Sequence, residues 1–351
     1  MIGTLLIAVV IASLLGLGVG ALPITPFDAV RTVLHGLLPG VSGVAEPAID
    51  AVIWHIRLPR TALGLTVGAA LATAGALFQG LFRNPLADPG LLGITLGAAA
   101  AVALAVLGSG VLVTAIGGLD PIALAGAQAV RPYVVPVAAF IGSLVSVLAV
   151  VALSGGLRQL DVATLLLGGI AINAIAGAIT GLCIFLADDA QLRDLTFWSL
   201  GGLGGATWPV VMATVPPVVV GLCAVPFLAR RLDCLQLGEA EAAHLGVPIE
   251  STKRWVVGVG ALLVGVSVAA AGAIGFIGLV VPHLVRLFLG PGHRMLLPAS
   301  ALLGAALVVL ADVLARTVVA PAELPIGVLT TLLGGPFFLG LLIADRRRRG
   351  T

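Results

Sequence analysis

The sequence predicts an all-α polytopic membrane protein of about ten transmembrane helices with an inverted-topology internal repeat. Three observations predict it. Of the 351 residues, 60% are hydrophobic and only 10% charged. Apolar stretches of about 20 residues recur from end to end, each long enough to cross about 30 Å of hydrocarbon. A block of residues also recurs at one fixed offset in the two halves of the chain. A soluble domain carries about 25% charged residues to cover its surface, so a soluble globular fold is excluded. The 47 glycines agree with a membrane bundle, because small residues let helices approach closely in lipid.

The expected spans are 1–22, 58–82, 92–112, 133–153, 162–186, 208–228, 255–274, 276–289, 296–314 and 326–344. The first carries no Lys or Arg ahead of its apolar core. It therefore reads as a span and not as a signal peptide, despite the small residues from Gly18 to Ala21. Residues 255–289 taken as one helix would run about 52 Å, too long for one crossing. Gly272, Gly275 and Gly278 offer a break, which makes two spans of it.

With the N-terminus inside, Arg83, Arg158, Arg230, Arg231, Lys253, Arg254, Arg286, Arg294 and Arg346 to Arg349 face the cytoplasm. Arg31, Arg57, Arg60, Arg131, Arg193 and Arg316 face out, a ratio of 12 to 6 that agrees with the positive-inside rule. A nine-span chain starting outside scores 11 to 7, so charge alone leaves the count open. The repeat favours ten. Val67, Gly68, Ala72, Ala74, Gly75, Ala76 and Pro85 are matched by Val264, Gly265, Ala269, Ala271, Gly272, Ala273 and Pro282, all offset by 197, as are Arg57 and Arg254. These units begin at spans 2 and 7 and so face opposite ways, a common plan for a transporter. The chain reads as one transmembrane permease domain over 1–351, with repeat units starting near 57 and 254 and an inner loop at 229–254.

The energy source is absent from the chain. Its only lysine, Lys253, follows Thr252, so no Gly-Lys-Ser/Thr phosphate loop exists and nucleotide chemistry falls to a partner. Ion coupling would place acids or histidines within the membrane. Here Asp88, Asp161, Asp188, Asp189, Asp194, Asp233 and Asp345 lie mostly in loops or at span ends. Only Asp312 and His283 approach a span interior, and both read as polar groups satisfied locally. Cys183, Cys223 and Cys234 show no Cys-x-x-Cys spacing. No catalytic residues, metal ligands or resident cofactor are expected.

Several stretches carry a resemblance: Arg57-Leu-Pro-Arg60, NPLADPGLLG from Asn84, GFIGLVVPHLVR from Gly275, LADVLAR from Leu310 and ELPIGVLTTLLGGPFF from Glu323. In this order, over residues 57–345, the chain resembles the permease family of ABC importers for ferric siderophores, haem and cobalamin. The resemblance implies a homodimer of permeases, two cytoplasmic ATPases using ATP and Mg, and a periplasmic substrate-binding protein, with no nucleic acid. It also implies a bacterial inner-membrane location with both termini cytoplasmic. The stretch from Ala187 to Trp208 is similar to the haem branch and implies haem as cargo. Ferric siderophore and cobalamin are the alternative cargoes, and an ion-coupled secondary transporter is the alternative class.

Within the inner loop, Glu239-Ala240-Glu241-Ala242-Ala243-His244-Leu245 is a short helix former between Gly238 and Gly246, preceded by Leu235. The resemblance implies that this element couples to the ATPase. Arg57, Arg60 and Arg316 break the positive-inside trend at one place on the outer face. Guanidinium forks suit paired carboxylates, and the resemblance implies that these three receive acidic residues of the binding protein. Asn173, in the middle of a span, either bonds a neighbouring helix or lines the path. Arg193, beside Asp188, Asp189 and Asp194, is either a local ion pair or a contact for a haem propionate. His35 and His55 read as solvated loop histidines.

Overall fold

The computed structural model describes residues 1–20, 22–38, 46–116, 121–156 and 160–349. Arg158, counted among the inner charges, lies outside them. The helices are α1 (Ile2–Gly18), α2 (Pro26–Leu37), α3 (Pro47–Val52), α4 (Leu58–Phe82), α5 (Ile94–Ile116), α6 (Pro121–Leu153), α7 (Val162–Leu186), α8 (Asp189–Leu200), α9 (Trp208–Leu235), α10 (Glu239–His244), α11 (Ile249–Ala271), α12 (Ile277–Leu289), α13 (His293–Ala315) and α14 (Ile326–Arg349). Each expected span falls on one of ten of these, and α2, α3, α8 and α10 are short connectors. The helices α9 and α11 outrun their expected spans, so the inner loop shrinks from 229–254 to 236–248. Cys234 accordingly sits in the last turn of α9 and not in a loop.

The bundle is organised around α4. From Ala70 to Phe82 every one of its residues is buried, and α9, α11, α12 and α13 pack around it. No amphipathic stripe is needed on a stretch so enclosed, and between Ala70 and Phe82 only Thr73 and Gln79 are polar. Two repeat units, α4 and α11, pack directly and run antiparallel. Phe78, near the end of α4, meets Gly260 in the first half of α11, whereas Gly64, near the start of α4, meets Leu203, whose neighbour Gly202 donates its N–H to the Ala271 carbonyl at the end of α11. The peripheral α7 leaves Leu167, Ile170, Ile175, Leu182 and Phe185 exposed.

The predicted break after span 7 is real. α11 ends at Ala271, and Gly272 turns the chain with φ +69 before α12 starts at Ile277. With 13 residues, α12 rises only about 20 Å, less than a full crossing. It begins inside the bundle, where Gly278 packs on Gly75 of α4 so closely that a Cβ on Gly75 would lie 1.8 Å from the Gly278 oxygen. The turn Pro89–Leu92 also enters the bundle. Asn173 Nδ2 donates to the Gly90 carbonyl at 3.0 Å, about 16 Å along α7 from its start. Irregular backbone at that depth survives because protein covers it.

Candidate functional site

At the end of the bundle expected to face outward, called here the outer end, Arg57, Arg60 and Arg316 are brought together, but not with free side chains. Arg57, in the π-helical turn Ile53–Arg57 ahead of α4, is 3% exposed. Its Nη1 donates to the carbonyls of Leu17 (2.6 Å) and Gly18 (2.7 Å), and its Nη2 to that of Leu22. A guanidinium suits this place because the end of α1 presents unpaired carbonyls and the negative pole of its dipole. Arg316 Nη2 donates to the Gly16 carbonyl at 2.6 Å, and its Nε lies 3.8 Å from Asp312.

Arg60 is the centre of the cluster. Its Nε donates to both oxygens of Asp312 at 2.9 and 3.1 Å. Its two Nη groups form a fork on Glu323, at 3.0 and 2.9 Å. Asp312 is buried, whereas the Glu323 side chain is 49% exposed. The hydrogen bonds from Arg60 hold the Glu323 carboxyl below its ordinary value of 4.5. The sequence-based picture of three arginines presented outward is therefore corrected. Arg57 holds the end of α1, Arg60 ties α4 to α13 and to Glu323, Arg316 ties α13 to α1, and the group that reaches solvent is an acid. Beside Arg60 and Glu323 opens a cavity of about 630 Å³, lined among others by Phe197, Trp198, Gly204, Thr207 and Val210.

Asp312 is satisfied locally, as expected, but His283 is not. Both of its ring nitrogens are buried without a hydrogen-bond partner among the described residues, beside the Phe337 ring. Neither Asn173 nor Arg193 lines the outer cavity. Asn173 bonds the Pro89–Leu92 turn, which is one of its two expected readings. Arg193 is exposed on α8, and its Nε reaches the Asp189 carbonyl at 3.4 Å. The neighbouring Asp188 is occupied in capping α8, and no ion pair to Arg193 occurs among the described residues.

At the opposite end, expected to face inward and called here the inner end, α10 stands between Gly238 (φ +120) and Gly246 (φ +79). Ala242 is fully buried against the bundle, and α10 packs on α9 and α11. Leu237 and Leu245 flank it and are 64% and 62% exposed. Two large apolar side chains are thus bared on either side of α10. One signal was overlooked in the sequence: Lys253, the only lysine, is 3% exposed and is held by Glu239 of α10 at 2.9 Å.

Comparison with known proteins agrees with this architecture. The hemin transport system permease protein HmuU of Yersinia pestis is 43% identical over 99% of this chain and 97% of its own length. The vitamin B12 import system permease protein BtuC of Escherichia coli is 42% identical over 86% of each chain. A solved metal-chelate type ABC transporter in an inward-facing conformation superposes with a TM-score of 0.79 at 30% identity, covering 97% of this chain and 98% of its own. The model of the FecCD transport family matches residues 5–344. With the ten-helix bundle and its two differentiated ends, this match means that the chain belongs to the FecCD transport family.

Proposed function

We propose that the chain is the membrane-spanning permease subunit of a homodimeric ABC importer, and that it carries haem across a bacterial inner membrane by alternating access. As a FecCD member it is a transport permease. Energy comes from ATP and Mg used by a partner ATPase bound at the cytoplasmic face, where both termini also lie. The observation that carries this reading is α10, a helix fastened to the bundle by Ala242 with Leu237 and Leu245 bare on either side. Set on either side of a helix anchored to the bundle, the two leucines would give a docking partner its apolar contact.

At the outer face a periplasmic binding protein lands on the arginine rim. Because Arg60 already holds Glu323, an incoming carboxylate docks by exchange with that half-exposed acid. Haem is favoured as cargo by the likeness to the hemin permease over the whole length. The outer cavity is mostly apolar, which suits a flat apolar ring, with Arg60 and its partner Glu323 both at its edge. Arg193 is a candidate contact for a propionate, and Asn173 for the path wall. Cobalamin is the second reading, favoured by relatives at 41% and 42% identity that import it.

The test is to reconstitute the permease, ATPase and binding protein and to supply haem, cobalamin or a ferric siderophore. Haem is expected to stimulate ATP hydrolysis and to accumulate inside. Stimulation by cobalamin or a siderophore, with haem inert, overturns the cargo assignment.

A further inference from the structure

We infer that Lys253 is the joint through which α10 moves the transmembrane helices. This rests on the reading of α10 as the element that meets the ATPase. Lys253 lies in the second turn of α11, and its Nζ donates to three acceptors from three segments. They are Glu239 Oε2 on α10 at 2.9 Å, Glu250 Oε1 on α11 at 3.3 Å, and the Leu160 carbonyl at 2.9 Å. An ammonium has three N–H donors, and all three are used.

Glu250 completes the clasp, since its Oε2 accepts from the Leu160 N–H at 2.8 Å. Both backbone groups of Leu160 are thus held by the first two turns of α11. The next residue, Asp161, caps α7 by accepting from the Thr164 N–H at 2.8 Å. The connection therefore runs from α10 through one buried ammonium to α11 and α7.

Such a connection transmits displacement because its members have no cheap alternative partners. A buried ammonium that loses an acceptor finds no water to replace it. Glu239, in contrast, has a side chain 44% exposed, so the α10 side of the joint borders the surface where a partner would bear. A ridge of apolar contacts would slide, whereas short charge-assisted bonds resist both pull and rotation.

The test places one reporter cysteine at the outer cavity, Thr207→Cys, in a chain lacking Cys183, Cys223 and Cys234. Its labelling by a membrane-impermeant maleimide is followed in the complex with the partner ATPase, with and without ATP plus vanadate. The parent chain is expected to change its labelling rate by about fivefold or more. Lys253→Met is expected to abolish that change while ATPase assembly and basal ATP hydrolysis persist. Adding Glu239→Gln to Lys253→Met should cost nothing further, because the two act through one bond.

A full nucleotide response in Lys253→Met, alongside its loss when α10 carries Glu239→Lys and Glu241→Lys, overturns the joint and leaves the coupling reading intact. No response in the parent chain overturns both. Parallel loss of assembly and hydrolysis in Lys253→Met and Lys253→Arg shows a structural pin and also overturns the joint.

Discussion

At the outer end of the bundle, three arginines meet two carboxylates and a row of helix-end carbonyls, and almost all of that charge is spent inside the chain. At the inner end one lysine gathers three segments, while Leu237 and Leu245 remain uncommitted beside it. The contrast separates bracing from transmission. A network of Arg60, Asp312, Arg316 and Glu323 ties four chain segments at fixed spacing and leaves one acid at the surface. A short helix held through one buried ammonium and one buried alanine leaves its outer surface free to be pushed. On the proposed function the outer end captures and the inner end drives, and each role can be broken separately.

The largest effect is expected at Asp312. Replacing it with Ala leaves Arg316 without a carboxylate and Arg60 with Glu323 alone, and breaking a buried pair in this way typically costs about 3–5 kcal/mol. Thermal unfolding in detergent should show this as a large loss of Tm and yield. A small change would mean that the outer network is not a brace. Reversing Arg57, Arg60 and Arg316 to Glu is expected to disrupt folding as well, because it puts acids beside Asp312 and Glu323.

A several-fold loss of haem uptake is expected for both Arg193→Lys and Arg193→Ala, with assembly and ATP hydrolysis kept. A bidentate carboxylate contact does not accept Lys as an equivalent. Normal uptake by Arg193→Ala returns this residue to a role in α8 alone.

Glu323 sharpens the comparison on a smaller scale. Its pair with Arg60 is half exposed, so Glu323→Gln should cost about 0–1 kcal/mol. Because folding depresses its pKa, its stabilisation is present above pH 4.5 and is lost as pH falls through the folded value. The Tm difference between the parent and Glu323→Gln should therefore vanish in acid. The same variant should speed association with the binding protein and steepen its salt dependence, because it leaves more positive charge to attract the incoming acids. Slower association would place the docking acids elsewhere.

The smallest perturbation reads orientation. Cys234, in the last turn of α9, should react with an impermeant thiol reagent only from the cytoplasmic side, whereas buried Cys183 stays protected. Labelling of Cys234 in intact spheroplasts would invert the assignment of the two ends.

Much of this architecture was legible in the sequence, for specific reasons. The break at Gly272 followed from length, since 35 residues of helix outrun a bilayer. The helix α10 followed from its two flanking glycines and its run of helix formers. The inward dip of Pro89–Leu92 was not legible, because Asn-Pro and Asp-Pro look the same in a surface turn as in a turn packed on Gly169 and Gly278. Nor was the fate of the arginines. Charge counting sees which side a guanidinium is on but not its partners, and Asp312 lies 252 positions from Arg60 and Gly16 lies 300 from Arg316. Lys253 was visible as the only lysine, yet its burial depends on Leu160 and Glu239 arriving from two other segments.

The central claim is that a partner ATPase drives this chain through α10. Its most direct test is haem uptake into proteoliposomes containing the full complex, compared between the parent chain and a variant carrying Glu239→Lys and Glu241→Lys. Uptake is expected to require ATP and the ATPase in the parent, and the variant is expected to show weak ATPase docking or hydrolysis without uptake. Uptake by the permease without the ATPase, driven by an imposed ion gradient and indifferent to both substitutions, would contradict the claim.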